Sequence, residues 1–269
     1  APLGGPPLLP TPRPPPPNHT PTPPPPPRPR QSVSLRQPGV DAVRRQNGFT
    51  LAEVLITLGI IGIISALTIP NIIANFRAQQ LRTAFLKGYS VITQAFEMYH
   101  KDTDCSGTDC IASVLFYQAI KPYFKILKLC EHTADLKSDD CMPKNTTDMK
   151  YQNFNKTSRG IKSAMFDDGQ FITTDGMLIT FEQQSSGRKS IFIGLDVNGR
   201  RKAPNVLGQD LFLFQLVNKS GRGFILPVGA VGTDYSAEQF CSLTSTSREN
   251  GYGCAAKALY DPNFFKNLK

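Results

Sequence analysis

The chain has 269 residues, of which 40% are apolar, and it carries a formal net charge of +9 at pH 7. That length allows one or two domains, and the basic balance would fit a nucleic-acid or acidic-lipid partner. Six of the arginines and a single acid, Asp41, however, lie in the first 48 residues, so the remainder is only mildly basic. The sequence contains neither a glycine-rich phosphate loop nor a G-x-S-x-G nucleophile elbow. It therefore gives no motif for those two classes of enzyme.

Residues 1–48 form a proline-rich and basic leader. Most of the 23 prolines of the chain lie before Gln31. A segment of this composition is extended or disordered rather than folded around a core. We expect this leader to be removed from the mature protein.

An apolar segment of membrane-spanning length begins at Phe49. A run of 23 uncharged residues follows Glu53, and about 20 apolar residues cross a bilayer as a helix. A cleaved export signal is the alternative, but its apolar core would be shorter and a small-residue cleavage site would follow it. Here Arg44, Arg45 and Gly48 precede the run instead. We therefore expect cleavage before the helix, so that the helix stays on the mature protein. We also expect the two arginines to hold the leader on the cytoplasmic side.

The sequence GFTLAE at the start of this segment resembles the cleavage and methylation site of type IV prepilins and type II secretion pseudopilins. In that family a membrane peptidase cuts after the glycine and methylates the new amino terminus. The resemblance implies cleavage between Gly48 and Phe49 and methylation of Phe49. Glu53 and Pro70 then become the fifth and twenty-second residues of the mature chain, as in the family's pattern. The resemblance is close in this segment and looser over the rest of the chain.

The leader departs from the family, whose leaders are usually short and basic. This one has 48 residues and opens on a proline tract without an initiating methionine. We expect a fragment or a misplaced start, in which the genuine leader is only about the last ten residues and residues 1–38 do not belong to it. A genuine polyproline extension with a cytoplasmic role before cleavage is the alternative.

Glu53 is the acid of the apolar segment. An unpaired charge near the bilayer centre costs at least about 2.5–3.5 kcal/mol, so in a lone subunit this carboxyl group lies near the interface or is protonated. In a filament it could meet the positive amino terminus of Phe49 on a neighbouring subunit, which would neutralise both charges and set the axial register. The alternative is an acid that reaches the membrane surface without a partner.

Two glycines and a proline interrupt the apolar run. Gly59 and Gly62 could let helix backbones approach closely, and with Pro70 they make the middle of the helix easy to unwind. The resemblance places the region that melts on pilus assembly between Gly59 and Pro70. Ordinary membrane-helix glycine and proline are the alternative.

Beyond Pro70 the spacing predicts an amphipathic continuation that ends near His100. No globular core can enclose a helix of this length, so we expect one half to project as a stalk and the other to lie against a sheet. The apolar side chains of that second half recur every three or four residues, at Leu81, Phe85, Tyr89, Ile92, Phe96 and Tyr99.

All six cysteines follow the apolar segment. The sequence has no CxxC and only three histidines, which argues against zinc, whereas an even count beyond a membrane-length run indicates disulfides in an oxidising compartment. Reduced core cysteines are the alternative. Fifteen pairings are possible, and we expect the sequence-local ones: Cys105–Cys110, Cys130–Cys141 and Cys241–Cys254.

The fold class that this order of elements predicts is α+β, a long amino-terminal helix packed on an antiparallel sheet with disulfide-bounded loops, which also resembles the pilin architecture. A short helix broken near Pro122 should lie within residues 111–130, and the tail from Cys241 should hold a loop and a short closing segment. Strands are predicted at residues 161–168, 177–183, 190–197, 210–217 and 223–228, with turns at 167–170, 173–176 and 185–188.

The connection from residue 196 to residue 214 contains three oxygen donors, Asp196, Asn198 and Asp210. Some pseudopilins bind calcium through late-chain loops, so these residues are weak calcium candidates. Calcium needs six to eight oxygens, and a turn explains Asn198 and Gly199 more simply.

The function that the resemblance implies is that of a structural subunit of a type IV pilus-like filament, without catalytic residues or a cofactor. Residues 49–76 would be the membrane and filament-core helix, and residues 77–269 the amphipathic helix with the globular domain. The partners would be other copies or related pilins, the prepilin peptidase, an inner-membrane platform protein and an assembly ATPase. The subunit would sit in the inner membrane with its globular domain outside the cytoplasm, then in a surface or periplasmic filament.

Two related roles remain open, those of a type II secretion pseudopilin and of a DNA-binding competence pilin. The mature length of 221 residues favours a pilin over the many smaller pseudopilins. DNA binding would need a basic stripe with exposed aromatic residues. Arg200, Arg201 and Lys202 are the tight basic cluster of the chain, so nucleic acid is not an expected partner. A membrane-anchored enzyme is a third class, which a perturbed acid or histidine in a pocket would favour.

Overall fold

A long amino-terminal helix, α1, runs over Leu51–Thr103 in the computed structural model of the chain. The structure describes residues 48–104, 116–130, 140–143, 150–157, 160–184 and 190–268. Glu53 lies in the first turn of α1 and His100 and Lys101 in its last turn, an arrangement that suits the helix dipole. At 1.5 Å per residue the helix is about 80 Å long, and it continues through Pro70.

Six strands of the described residues form one antiparallel sheet, in which each strand pairs with the next along the chain. A tight turn joins the last two strands, with Ser220 at φ 53° and Gly221 at φ 83°. Positive φ at both positions is typical of the turn that fits the twist of a hairpin. The strands are β1 (Ile126–Leu129), β2 (Gly169–Thr173), β3 (Leu178–Gln183), β4 (Ile191–Asp196), β5 (Leu211–Lys219) and β6 (Arg222–Pro227).

Apolar side chains cover both faces of this sheet. On the face towards α1, the Phe85 ring lies 4.6 Å from the Phe212 ring, and the Tyr89 ring stacks 5.2 Å from that of Phe214. Because successive strand residues point to opposite faces, alternate residues of the same strands enter a second cluster around Phe166. This double burial explains why every residue of β4 is buried. The second cluster also contains Tyr151, Leu178, Phe192, Leu213 and Tyr252.

Short helical segments close the fold around the sheet. The α-helices are α2 (Phe116–Ile120), α3 (Ala237–Phe240) and α4 (Cys254–Tyr260), and 3-10 turns lie at Lys121–Tyr123, Ser163–Met165 and Phe264–Asn267. Disulfides join Cys130 to Cys141 and Cys241 to Cys254. The expected pair Cys105–Cys110 lies outside the described residues.

The predicted class, a long helix on an antiparallel sheet, is confirmed, as are the two described disulfides. The last four strands lie within two residues of their predicted bounds, and α2 followed by the turn at Pro122 matches the expected broken helix. The turn at residues 173–176 is present, whereas residues 185–188 lie outside the described part.

The prediction of a strand at residues 161–168 with a turn at 167–170 is wrong. Ser163–Met165 form a 3-10 turn, and the strand begins only at Gly169. Gly169 and Gln170 are residues typical of turns, but here the contacts of each one explain its place in the strand. A Cβ at Gly169 would lie 2.2 Å from the Tyr117 ring, and the Gln170 amide bonds the backbone of Met142 in both directions, at 2.7 and 2.9 Å. Strand β1 was not predicted either.

Candidate processing site and assembly helix

The residues around the predicted cleavage site precede the helix. Gly48, Phe49 and Thr50 are non-helical and exposed, and the Phe49 residue has 88% of its surface accessible. A Cβ at Gly48 would meet no described atom within 4 Å. The residues on both sides of the Gly48–Phe49 bond are therefore exposed and non-helical.

The first half of α1 presents its apolar side chains to the outside. Residues 51–77 are exposed except for Ser65, which is half-buried. Among the described residues α1 is long and apolar enough to cross a membrane, and its most apolar stretch is not buried in the protein. The uncharged run after Glu53 is about 35 Å long at 1.5 Å per residue, which exceeds the roughly 30 Å hydrocarbon thickness.

Two hydroxyl groups in this half bond to the helix itself. The Thr57 hydroxyl donates to the Val54 carbonyl at 3.0 Å, and the Thr68 hydroxyl donates to the Ile64 carbonyl at 2.9 Å. A polar group in an apolar solvent must find its hydrogen-bond partner inside the protein, because the solvent provides no donor or acceptor. The exposed half is therefore suited to lipid as well as to other helices.

The second half of α1 packs on the sheet from Ala78 onward. Gly88 is buried, and a Cβ there would lie 2.5 Å from Cδ2 of Leu195 on β4. Exposed ion pairs flank the contact, with Lys87 3.1 Å from Asp175 and Glu97 3.1 Å from Arg222. The predicted stripe is confirmed: Phe85, Ile92, Phe96 and Tyr99 are buried, and Leu81 and Tyr89 pack against them.

The predicted assembly residues all lie on the exposed half. A Cβ at Gly59 or Gly62 would meet no described atom within 4 Å. A close approach at these glycines therefore needs another molecule. Glu53 lies in the first turn, and Pro70 lies inside the continuous helix.

The calcium candidates lie at the connection between β4 and β5. Asp196 accepts hydrogen bonds from the Tyr151 hydroxyl and from the backbone N–H groups of Asn198 and Gly199, the last two at 3.1 and 2.8 Å. Asp210 accepts the N–H groups of residues 205 and 206 at 2.6 and 2.7 Å. Both carboxyl groups are thus anchors of the loop, while the Asn198 amide donates to the Ala203 carbonyl at 3.0 Å. The calcium prediction is not tested and stays a prediction.

Burial dominates the electrostatics of that connection. It raises the pKa of Asp196 to about 6, although the hydrogen bonds that stabilise the charged carboxylate act to lower this pKa. It raises the pKa of Asp210 to about 8, and the nearby Asp196 charge acts in the same direction. Burial and the Asp196 charge also hold the pKa of Tyr151 well above its usual value. Because two carboxyl groups share one buried region, they are not both charged at low cost.

The tight basic cluster gives the DNA-binding alternative no support. Arg200 is only 8% exposed, and Arg201 forms an ion pair with Asp140. Lys202 is exposed. Arg200 is thus buried, and Arg201, although exposed, is paired with an acid.

Sequence reasoning missed a group of three carboxylates at Asp167, Asp168 and Glu182. One carboxylate oxygen from each residue lies within 4.8 Å of the other two, and all three residues are half-buried. Burial, followed by the charges of the two aspartates, raises the pKa of Glu182 to about 8. The adjacent pair at 167 and 168 was the available signal, but the erroneous strand assignment placed it in a turn away from Glu182.

Comparison with known proteins identifies the amino-terminal segment. Residues 43–69 match the family model of the prokaryotic N-terminal methylation motif, and the matched range includes Gly48, Phe49 and Glu53. No curated protein and no solved structure gives a significant match to this chain. The chain carries a prepilin-type N-terminal methylation motif followed by a long apolar helix, the arrangement of the type IV pilin-like family.

Proposed function

We propose that this chain is a structural subunit of a type IV pilus-like filament, made as a precursor and trimmed between Gly48 and Phe49. The motif itself points to a structural subunit rather than to an enzyme. The observation that carries the proposal is the exposed apolar half of α1, which directly follows the methylation motif. Such a surface needs an apolar environment, because contiguous apolar patches of this size are not left in water.

The exposed half would serve in two environments in turn. Before assembly, residues 51–76 span the inner membrane and the disulfide-bonded domain lies outside the cytoplasm, where disulfides persist. On assembly, lipid contacts are replaced by contacts with the same segment of neighbouring subunits. Gly59 and Gly62 support close packing at this stage, because their surfaces are open in the subunit and small residues let helices approach.

Glu53 would set the register of the filament. Trimming leaves a new positive amino terminus on Phe49, and the Glu53 carboxylate of one subunit would pair with that terminus on the next. The pair is formed only between subunits, so it favours one axial offset over others. The loss of one partner leaves the other charge buried, at a cost of about 3–5 kcal/mol in soluble proteins.

The assembly machinery implied by the family resemblance would process the subunit and supply the energy for its extraction from the membrane. A prepilin peptidase trims and methylates the subunit, and a platform protein with a cytoplasmic ATPase extracts it from the membrane. The location of the fibres distinguishes a pilus subunit from a secretion pseudopilin. A surface fibre supports the pilus role, and a periplasmic fibre supports the pseudopilin role.

A matched pair of glutamate variants in α1 tests the register. Glu53→Ala should remain membrane-bound and trimmed, but its fibre yield should fall at least about tenfold because a buried amino terminus loses its partner. Glu97→Ala is the control, since it removes an exposed glutamate from the same helix. The pair that Glu97 forms with Arg222 is worth about 0–1 kcal/mol. Normal fibre yield from Glu53→Ala would remove the register role.

A further inference from the structure

A polar stripe runs along one face of α1, across the boundary between its exposed half and its packed half. It consists of Asn71, Asn75, Gln79 and Thr83, all of which are exposed. Residues four apart are neighbours on one face of a helix, so these side chains form a single ridge. Within the described part of the chain they take part in no hydrogen bond. The stripe therefore has donors and acceptors that the subunit itself does not use.

The charged residues near the polar stripe are directed elsewhere. Arg77 lies on the opposite side of the helix, because a residue two positions away is about 200° around the axis. The Arg82 guanidinium donates to the Pro262 carbonyl at 3.0 Å, and the Lys87 ammonium lies 3.1 Å from the carboxylate of Asp175. A helix face that stays in water commonly carries charged residues. The stripe is instead polar without charge, so it can be buried against a neutral polar surface.

In the membrane-bound subunit the polar stripe would lie beyond the hydrocarbon. Residues 51–70 are about 30 Å long at 1.5 Å per residue, which equals the thickness of the hydrocarbon core. Asn71 is the first residue after this span, so the stripe is hydrated before assembly. When α1 packs against other α1 helices, that water is removed. Each amide then needs a hydrogen-bond partner on another molecule.

The spacing of the polar stripe equals the offset that the proposed register imposes. If Glu53 of one subunit pairs with the amino terminus at Phe49 of the next, the two helices are displaced by four positions. The same displacement sets Asn75 of one subunit beside Asn71 of the next, and Gln79 beside Asn75. An amide group both donates and accepts hydrogen bonds. At this offset the stripe is therefore complementary to a copy of itself.

We propose that the polar stripe is the surface through which α1 binds α1 of a second copy, parallel to it and displaced by four residues. The inference rests on the proposed filament role and adds a second determinant of register. Whereas the Glu53 pair acts at one end of the helix, the stripe repeats the same offset over about 18 Å. A displacement of three residues would set Gln79 beside Phe76, whose ring does not satisfy an amide. Hydrogen bonds between helices fix register in this way.

Cysteine crosslinking in fibres tests the face and the offset together. Asn71→Cys and Asn75→Cys are made as separate subunits and co-expressed in cells that make the assembly machinery, so that a disulfide between them joins two copies. Oxidised mixed fibres should give a reductant-sensitive dimer on a denaturing gel. Fibres of either variant alone should not, because identical residues are displaced by four positions. Wild-type fibres give the background from the native cysteines.

The control for crosslinking is a mixture of Phe76→Cys and Gln80→Cys subunits. These positions have the same four-residue spacing and are exposed in the subunit. They lie about 100° further around the helix than Asn75 and Gln79. The control mixture should therefore give no dimer above the wild-type background.

A matched pair of charged variants measures the effect on assembly. Gln79→Lys places a positive charge in the polar stripe and should lower fibre yield at least about tenfold, because a charge without a partner is then buried between copies. Gln80→Lys adds the same charge at the next position, off the stripe, and should leave the yield close to that of wild type. Both glutamines are exposed, so each variant should unfold in detergent at the wild-type Tm.

The outcomes separate this inference from the function on which it rests. If the wild-type chain forms no fibres, the filament role and the inference both fail. If wild-type fibres form but the mixture of Asn71→Cys and Asn75→Cys gives no dimer, only the polar stripe is overturned. Equal crosslinking of the control mixture, or normal fibre yield from Gln79→Lys, would also overturn the stripe alone.

Discussion

Gly88 and Leu195 mark a point of close contact between α1 and the sheet, since a Cβ at residue 88 would lie 2.5 Å from Cδ2 and 2.9 Å from Cδ1 of Leu195. The same helix carries Gly59 and Gly62, where an added Cβ would meet no described atom within 4 Å. We propose two uses for glycine in this helix. At position 88 it allows close packing inside the subunit, and at positions 59 and 62 it would allow contacts between subunits.

A pair of alanine substitutions separates these two uses. Gly88→Ala should lower the free energy of unfolding by about 1–2 kcal/mol. Overpacking the buried site against Leu195 costs up to about 3 kcal/mol, from which the roughly 1 kcal/mol that alanine gains over glycine in a helix is subtracted. Gly62→Ala should leave the unfolding of the globular part unchanged. Thermal unfolding of the full chain in detergent measures both. Equal Tm values for Gly88→Ala and wild type would contradict the close packing described for this position.

The buried pair Asp196 and Asp210 should make stability fall as pH rises. Burial raises the pKa of Asp196 to about 6 and that of Asp210 to about 8, whereas in the unfolded chain both lose their protons near pH 4. The folded state therefore binds more protons between about pH 4 and pH 8, so these groups destabilise it progressively across that range. The measurement is Tm against pH for wild type and Asp210→Asn.

The asparagine variant isolates the effect of one carboxyl group. It should be less stable than wild type at pH 5, because one of the two backbone N–H groups from residues 205 and 206 loses its acceptor. Its Tm should nevertheless decline less between pH 5 and pH 8. If the difference between the two proteins stays constant over this range, Asp210 does not titrate there.

The disulfide between Cys241 and Cys254 should stabilise the carboxyl-terminal segment. It closes a loop with a sequence separation of 13 residues, and restricting a loop of that size in the unfolded chain contributes about 3 kcal/mol. Replacing both cysteines by alanine should lower the free energy of unfolding by about that amount, measured by thermal or denaturant unfolding. An unchanged Tm would show that the crosslink does not restrain the unfolded chain.

Much of the fold could be predicted because its signals are local. The change in α1 from exposed to buried follows from two features of the sequence. The uncharged run stops before Arg77, and apolar residues such as Phe85 and Tyr89 then recur every three or four positions. Strands β3 to β6 have continuous apolar runs bounded by turn residues. Both described disulfides join cysteines that are close in sequence.

The parts that could not be predicted depend on partners distant in sequence. Strand β2 begins at Gly169 because Tyr117 packs over that position. One cleft is lined by both Glu182 and Tyr252, which are far apart in sequence. The Asp196 and Asp210 carboxyl groups were identified as oxygen donors, but their bonds to Tyr151 and to the loop backbone are visible only in three dimensions.

The mass of the amino-terminal peptide of the mature protein, isolated from fibres or membranes of cells that make the assembly machinery, tests the central claim most directly. The account predicts a chain that begins at Phe49 with one methyl group on its amino nitrogen and that retains the whole of α1. A mature chain that begins beyond Ala66 would contradict it, because the apolar helix would then have served only for export.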